Sequence, residues 1–536
     1  MLDNFDKLNL QMRILIATAI SLLFFIPYSY FFAPVKEAPL KESTSMERAE
    51  QQAAPQTSSS PKEGQVSSVA MAETSPSKDI IATVQGSHFR LEIDSLGRIA
   101  QVYLKDAKFL KEQKELPLLA PLSSLPPLEV RFSDATTNKE AFAKSYYSDR
   151  DLVEIRDTPE TLTLTQELEG FKLTKKLTFY PDGNYDLEVE TSGSQKRFFL
   201  SPGARPIAES DKFAFNGVVL KESGGTIHTA EDGDAKKDEI FEGARFVASV
   251  DRYYTTLFFV KEPQGLRVVI SKNAEKNPEP FVEALDHLKL SGYIGAKDFR
   301  LLESIYPSLT DVVEYGFITF FAKPLFLLLD WLYKFCGNWG WAIVLLTLVV
   351  RIILFPLTYK GMVSMQKLKD IAPKMKEIQE KYKGDPQKLQ VHMMELYKKH
   401  GANPMGGCLP LLLQMPIFFA IYRVLYNAIE LKGADWILWI NDLSVMDPYF
   451  ILPILMGASM FLQQHLTPTT FTDPTQEKVF KFLPLIFTFF FVTFPSGLVL
   501  YWFVSNVFSI AQQLFINKTL EAKKRAAAAK PSGLSD

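Results

Sequence analysis

Ile343-Val-Leu-Leu-Thr347-Leu-Val-Val-Arg351-Ile-Ile-Leu-Phe355 is an apolar run with one arginine inside it. Extended to about 339–359, it is long enough at 1.5 Å per residue to cross a bilayer's hydrocarbon. An arginine near mid-span costs about 2.5–3.5 kcal/mol on insertion scales, so it needs water or a partner. The commonest partner is a carboxylate in another span. Further spans at about 408–429, 449–464, 479–494 and 497–516 contain no Asp or Glu. Snorkelling is the bland alternative, because Tyr359 at the inner edge is eight residues, or about 12 Å, away. We take a water-accessible functional site as the working expectation.

Polar residues elsewhere support a recess around that arginine. Thr347, Arg351 and Thr358 share one helical face. In the last span Tyr501, Ser505, Ser509 and Gln512 make a similar stripe, with Asn506 and Gln513 beside it. Gln414 in the third span, and Ser459, Gln463 and Gln464 in the fourth, are candidates to join them. Taken singly, each is ordinary helix-packing glue. Together with an arginine lacking a carboxylate, they predict a hydrophilic recess whose counter-charge comes from outside the protein.

Around this core the chain changes character several times. Its 536 residues are 47% hydrophobic and 22% charged, with 42 Phe and a net charge of −2, so no basic excess argues for nucleic acid. The apolar residues are concentrated in one N-terminal run and the last two hundred residues. Ile14–Phe32 is uncharged and long enough to span. It is read as an uncleaved anchor rather than a signal peptide, because Ala33 is followed by Pro34, a poor cleavage context. Residues 36–79 are rich in Ser, Pro, Ala, Glu and Gln, a linker composition that cannot bury enough apolar surface to order itself.

From about 81 to 310 short alternating runs take over, including Phe89-Arg-Leu-Glu-Ile93, Leu162-Thr-Leu-Thr165 and Leu173–Phe179. Period two means strands with one buried face. Pro181-Asp-Gly-Asn184 before Tyr185–Glu190 marks a hairpin. The expected domain is one large β-sandwich with a helix near 282–305. Nothing in it looks catalytic. His88, His228 and His287 are far apart, and Glu231-Asp-Gly-Asp234 reads as a solvated turn rather than a calcium loop. The two cysteines, Cys336 and Cys408, flank hydrophobic runs, which excludes a disulfide scaffold or a cysteine-ligated metal. No cofactor is expected.

Val312–Trp331 mixes large apolar residues with Glu314, Lys323, Pro324 and Asp330, the pattern of an amphipathic helix lying in the interface. Residues 360–400 hold ten Lys against five acids, and 517–536 hold five basic residues against two acids. The 430–448 loop has one Lys against four acids. The positive-inside rule puts the first two in the cytoplasm and the last outside. Six crossings then leave both termini cytoplasmic and the β-domain outside. In the 360–400 loop, Met365, Leu368, Met375, Ile378 and Tyr382 recur at helical spacing, and Gly384-Asp-Pro386 breaks the run. Leu389, Met393 and Leu396 resume it, giving a helical hairpin with a Met-rich edge. The expected fold is a polytopic α-helical membrane protein of six transmembrane helices carrying a large all-β sandwich. Its divisions are an anchor (1–35), a linker (36–79), the β-sandwich (80–310), the interfacial helix (311–337), a five-helix core (338–517) with the hairpin (360–400), and a basic tail (518–536).

The run Asn338-Trp-Gly-Trp-Ala-Ile343, Arg351 followed by Phe355-Pro-Leu-Thr358, Asn403-Pro-Met-Gly-Gly-Cys-Leu-Pro410 and Gln414-Met-Pro-Ile-Phe418 is followed by Asp447-Pro-Tyr-Phe-Ile-Leu-Pro453, Pro468-Thr-Thr470 and Phe494-Pro-Ser-Gly-Leu-Val-Leu-Tyr501. In this order the motifs resemble the YidC family of membrane-protein insertases. The outer domain is similar to the large periplasmic β-domain of Gram-negative members, with weaker motifs such as Gly292-Tyr-Ile-Gly295.

The resemblance implies a cell inner-membrane insertase and chaperone acting alone or beside the Sec translocon. Its partners would be nascent membrane-protein chains, the lipid bilayer and the ribosome, the last through cytoplasmic loops and tail, with no specific nucleic acid. Its groove would open to the cytoplasm and lipid and be closed outside, lined by Arg351, Thr347, Gln414, Phe418, Gln463, Tyr501, Trp502 and Ser505. Two residues depart from the family pattern. Trp502 stands where several members have a second Tyr, and Arg423, late in the third span, is expected to snorkel outward.

Guidance of this kind is thermodynamic and needs no bond chemistry. A wet recess reaching part-way shortens the roughly 30 Å of hydrocarbon that a client's polar segment must cross. The short fourth and fifth spans favour a locally thin bilayer. No nucleotide-binding Gly-x-x-x-x-Gly-Lys loop occurs, so energy would come from partitioning and the membrane potential. A solute transporter with Arg351 as an anion site is the alternative, opposed by the lack of a detectable repeat. A sugar-processing sandwich on an anchor is a third reading, without a convincing paired-carboxylate motif.

Overall fold

The computed structural model describes residues 79–110, 114–119, 124–208, 214–313, 315–401, 409–466 and 474–528. The expected anchor, nearly all of the linker, Cys408, Pro468–Thr470 and the end of the tail lie outside the described residues.

Period-two alternation places strands at Phe89–Asp94, Glu160–Leu168, Phe171–Phe179 and Asn184–Ser192. Along Phe171–Phe179 every second residue is buried, from Phe171 through Leu173, Lys175 and Leu177 to Phe179. The next strand pairs with it antiparallel, Tyr185 opposite Phe179. Gly183 closes their turn at φ +86°, a conformation that favours glycine. Among the described residues these strands belong to a thirteen-stranded sheet, and a five-stranded sheet contains Ile80–Gln85 and Phe89–Asp94. Side chains of both sheets share one core, including Val84, Leu91 and Val102 with Leu173, Leu187 and Phe258.

That core also encloses charge. Arg98 bridges Asp94 (2.8 Å) and Glu129 (2.9 Å), and Arg131 pairs with Glu129 at 2.9 Å. Lys175 donates to the carbonyls of Gly97 and Leu128, both at 2.8 Å, over the ring of Tyr146. Burial pulls its ammonium down to about 7.

The helix expected near 282–305 is mostly strand. Pro278–Leu285 and His287–Ala296 pair within the large sheet, the second of them with Asn184–Ser192. Leu288 and Leu290 alternate inward against that distant partner, and long-range pairing overrides the local helix formers. A short helix, α1 (Ala135–Ala143), was not legible in advance; Asp134 caps it by accepting from the Thr137 amide at 2.8 Å. Helix α2 (Phe299–Ile305) is all that remains of the expected one.

Helix α3 (Thr319–Cys336) starts later and ends later than the 312–331 expectation. Its charges do not form a solvated face. Asp330 is 6% exposed and pairs with Arg300 and Lys334, while Lys323 reaches Asp311 at 2.6 Å. Phe320, Trp331 and Phe335, at 81%, 61% and 78% exposed, make the outward face apolar instead. Asp330 is held inward by these pairs, while the Lys334 side chain itself stays exposed.

Helix α4 runs unbroken from Trp339 to Lys381, 43 residues, with Pro356 and Pro373 inside it. The expected boundary near 359 between span and hairpin is therefore absent, and the first hairpin arm is the span's own continuation. Helix α5 (Pro386–His400) returns, capped by Asp385. Ile371, Met375 and Leu396 are buried between the two arms, so the Met-rich edge is largely spent on self-packing. Val391 and Met394 stay about half exposed.

Helices α6 (Leu409–Asn427), α7 (Ile451–Leu466), α8 (Pro474–Phe491) and α9 (Ser496–Ala528) complete the core. Among the described residues, two helices, α4 and α9, are long and apolar enough to cross a membrane, against the six spans expected. Helix α7, with 16 residues, reaches about 24 Å, short of roughly 30 Å of hydrocarbon. Large apolar side chains nonetheless stand outward on these helices, with Ile353 68%, Leu485 68% and Phe489 84% exposed. Such an apolar surface needs lipid or protein to cover it.

The β-domain and helical core meet around the segment after α6. Arg252 donates to the Tyr426 carbonyl at 2.9 Å and lies 3.9 Å over its ring. Lys432 donates to the Tyr254 hydroxyl at 3.1 Å, and Ile429 is fully buried within the β-domain's core cluster.

Candidate functional site

Helices α4 and α9 pack against each other, and their polar stripes meet there. Thr347 is 1%, Arg351 8%, Thr358 7%, Tyr501 4%, Ser505 3% and Ser509 3% exposed. An Arg351 Nη donates to the Ser505 hydroxyl. Tyr501, one turn before Ser505, is within electrostatic reach of the guanidinium. No carboxylate among the described residues pairs with Arg351. Thr347 sits one turn before Arg351 and donates to its own helix, to the Ile343 carbonyl at 2.7 Å. Ser509 likewise donates to the Ser505 carbonyl at 3.0 Å.

These side chains therefore form a closed polar seam, whereas the sequence suggested an open recess at the same positions. A buried guanidinium holding one neutral hydroxyl retains unused donor capacity in a low-dielectric setting. It is chemically suited to an incoming carboxylate, carbonyl or water.

Trp502 and Phe418 belong to a second wall. Because Trp502 follows Tyr501 by about 100° around α9, it faces α6 and α8. Its ring lies 4.8 Å from Phe418, 4.6 Å from Phe491 and 5.8 Å from Phe487. Gln414 stands one turn before Phe418 on α6, half-buried, and Gln463 is half-buried on α7. The predicted residues thus divide into a polar seam of Arg351, Thr347, Tyr501 and Ser505 and an aromatic wall of Phe418 and Trp502. Helix α9 carries both.

The sequence named Asn506, Ser459 and Asp447 without their contacts, and Phe487, Phe491 and Gly457 escaped it. Asn506 donates to Ser459 at 3.0 Å, tying α9 to α7. Phe487 and Phe491 at i and i+4 on α8 back Trp502, a spacing that was visible but unremarkable in so aromatic a chain. Asp447, 1% exposed, accepts from the amides of Tyr449 (2.9 Å) and Leu452 (2.6 Å), which sets the start of α7. Gly457 leaves room for Thr488, whose Oγ1 would lie 1.9 Å from any Cβ at that position. Arg423 does not snorkel to a lipid boundary. It is 9% exposed and within electrostatic reach of Glu231 in the β-domain, so protein receives it.

Among the described residues no group of three His, Cys, Asp or Glu is placed to hold a metal ion. The Glu231–Asp234 turn is engaged by Arg205, which reaches Asp232 at 2.5 Å.

Comparison with known proteins matches residues 82–328 to the YidC periplasmic domain and residues 331–524 to the family described as 60Kd inner membrane protein. The membrane protein insertase YidC of Wolinella succinogenes is 99% identical over 536 residues, covering all of both chains. That of Helicobacter pylori strain 26695 is 53% identical, covering 97% of this chain and 98% of its own. A crystal structure of an active YidC insertase with its first transmembrane domain resolved aligns at TM-score 0.36 and 19% identity, over 81% of this chain and 94% of that one. The assignment rests on the sequence matches, which span both halves of the chain: it belongs to the YidC family of inner-membrane proteins, the membrane protein insertases.

Proposed function

We propose that the seam between α4 and α9 is where this insertase receives the polar flank of an entering chain, with Arg351 as its charge partner and Tyr501, Ser505 and Thr347 around it. The aromatic wall of Phe418 and Trp502, with Gln414 and Gln463, lines the route by which the client's apolar span leaves into lipid. The observation that carries this reading is a buried arginine held by a serine hydroxyl and no carboxylate. Client entry parts α4 from α9, and the incoming polar segment replaces the Ser505 contact.

The lysine-rich hairpin of α4 and α5 and the basic tail lie in the cytoplasm, both termini are cytoplasmic, and the β-domain is periplasmic, in a chain of six crossings. Hairpin and tail meet the ribosome, and the chain works alone or beside the Sec translocon. Partitioning of the client's apolar span drives the process, with the membrane potential acting on charged flanks. Purified protein in liposomes tests it. Protease-protected insertion of a single-span client supports the proposal, and solute flux without insertion sinks it.

A further inference from the structure

Where α3 turns into α4, a cavity of about 220 Å³ opens between the β-domain and the 430–435 segment. Its walls include Lys108, Tyr333, Trp339, Glu430, Lys432 and Asp435. The site plays no part in the seam around Arg351. It is too small for a drug-sized ligand, whose pockets run to about 300–1,000 Å³, and far larger than the roughly 10–15 Å³ one water needs. It suits a group of several heavy atoms.

Charge narrows the choice. Two lysines, Lys108 and Lys432, and two acids, Glu430 and Asp435, line the space, with Lys432 also donating to the Tyr254 hydroxyl, so a ligand carrying one charge leaves part of the wall unmatched. Glu430 accepts from the Phe299 amide at 3.0 Å, and burial together with Asp298 pushes its carboxyl up to about 7. A cation in the cavity would hold it ionised. Lys108 lies 3.6 Å from Asp298, too far for a good hydrogen bond, while Asp298 accepts from the Arg300 and Leu301 amides at the start of α2. Lys108 therefore keeps donors for another anion.

Position narrows it further. The rings of Tyr333 and Trp339 stack parallel at 4.0 Å, so they do not converge into an aromatic box for a quaternary ammonium. The same turn ends α3, whose Phe320, Trp331 and Phe335 face outward as interfacial anchors do. The cavity thus sits beside the element that meets the headgroup layer.

We infer that this cavity binds the phosphoethanolamine headgroup of a phospholipid, phosphate against Lys108 and Lys432, primary ammonium against Glu430 and Asp435. An anionic glycerol headgroup brings no cation to the carboxylates, and choline has no N–H to donate. The inference goes beyond the insertion pathway, since binding is read without a client.

The test is lipid retention on the full-length protein in detergent, measured by native mass spectrometry. Phosphatidylethanolamine, phosphatidylglycerol and phosphatidylcholine of identical acyl chains are compared. Phosphatidylethanolamine should be retained about tenfold over the other two, the scale of one charge-assisted hydrogen bond. Lys108→Gln and Asp435→Asn, both on exposed residues, should each remove most of that preference. Soluble phosphoethanolamine separates the sources: weak competition supports a lipid, and binding as tight as the lipid's overturns the lipid assignment. Equal retention of all three lipids by the unaltered protein overturns the proposal without recourse to any variant, as does a preference that survives both substitutions.

Discussion

Arg351 and Ser505, 154 positions apart, are joined by a guanidinium-to-hydroxyl hydrogen bond across α4 and α9, while Ile352 and Ile353, next along the chain, are 61% and 68% exposed. One helix turn thus presents a buried cation to its neighbour and bare hydrocarbon to its surroundings. Arg351→Ala should weaken insertion of clients with acidic outer segments by about tenfold, the value of one charge-assisted contact, and affect neutral ones less. Arg351→Lys should keep much of the activity, because a point charge needs no bidentate geometry. Equal losses for both client types would contradict the electrostatic role.

Accessibility gives a second test. In a background lacking Cys336 and Cys408, cysteines at Thr347 or Ser505 should react slowly with a membrane-impermeant thiol reagent, since both positions are closed in the resting seam. Engaging a stalled client should accelerate labelling from the cytoplasmic side and leave the outer side silent. Labelling from both sides would point to a channel.

Removing 90–290 while keeping α3 should leave the seam around Arg351 intact, because it is built from later residues. The same deletion takes away Arg252 and Tyr254 and uncovers Ile429, so the truncated protein should melt several degrees lower. If it proves as stable as the full chain yet fails to insert clients, the β-domain has a direct part in insertion.

Lys175 makes the β-domain's stability depend on pH. Its folded pKa of about 7 lies below the unfolded value near 10.4, so between the two the unfolded chain binds more protons. Its contribution to stability therefore rises with pH over that window, by up to about 1.4 kcal/mol per unit. Lys175→Met should flatten this dependence, read from amide exchange of the β-domain at pH 7 and 9. An unchanged slope would show that another group sets it.

Gly457 is the tightest point between α7 and α8. A Cβ there meets Thr488 Oγ1 at 1.9 Å, so Gly457→Leu should destabilise by about 1–3 kcal/mol or separate the pair. Gly457→Leu combined with Thr488→Ala should recover part of the loss; a double variant no better than the single one would place the strain elsewhere.

The β-domain was readable because period-two alternation reports directly on which side of a sheet is buried. The expected helix fails at 287–296, where the partner strand Asn184–Ser192 decides the conformation and lies about a hundred residues away. Arg351 was conspicuous because charge in an apolar run is expensive wherever it packs, and the stripes on both helices gave its neighbours. What the spacing could not convey was closure: a polar stripe looks the same whether it faces water or another stripe. The Arg252–Tyr426 contact was equally hidden, since neither residue is unusual in its own segment. Helix α4's length was invisible to hydropathy, which drops at Tyr359 although helix-forming residues continue.

That last feature joins two distant parts of the helical core. From Arg351 to Met375 along α4 is 24 residues, or about 36 Å of helix, ending among the side chains that pack α4 against α5. A twist imposed on the hairpin is passed along the same helix towards the arginine, softened at Pro356 and Pro373. The hairpin and the buried arginine are two ends of one rod, and a flexible insertion after Tyr359 would disconnect them while leaving each end correctly folded.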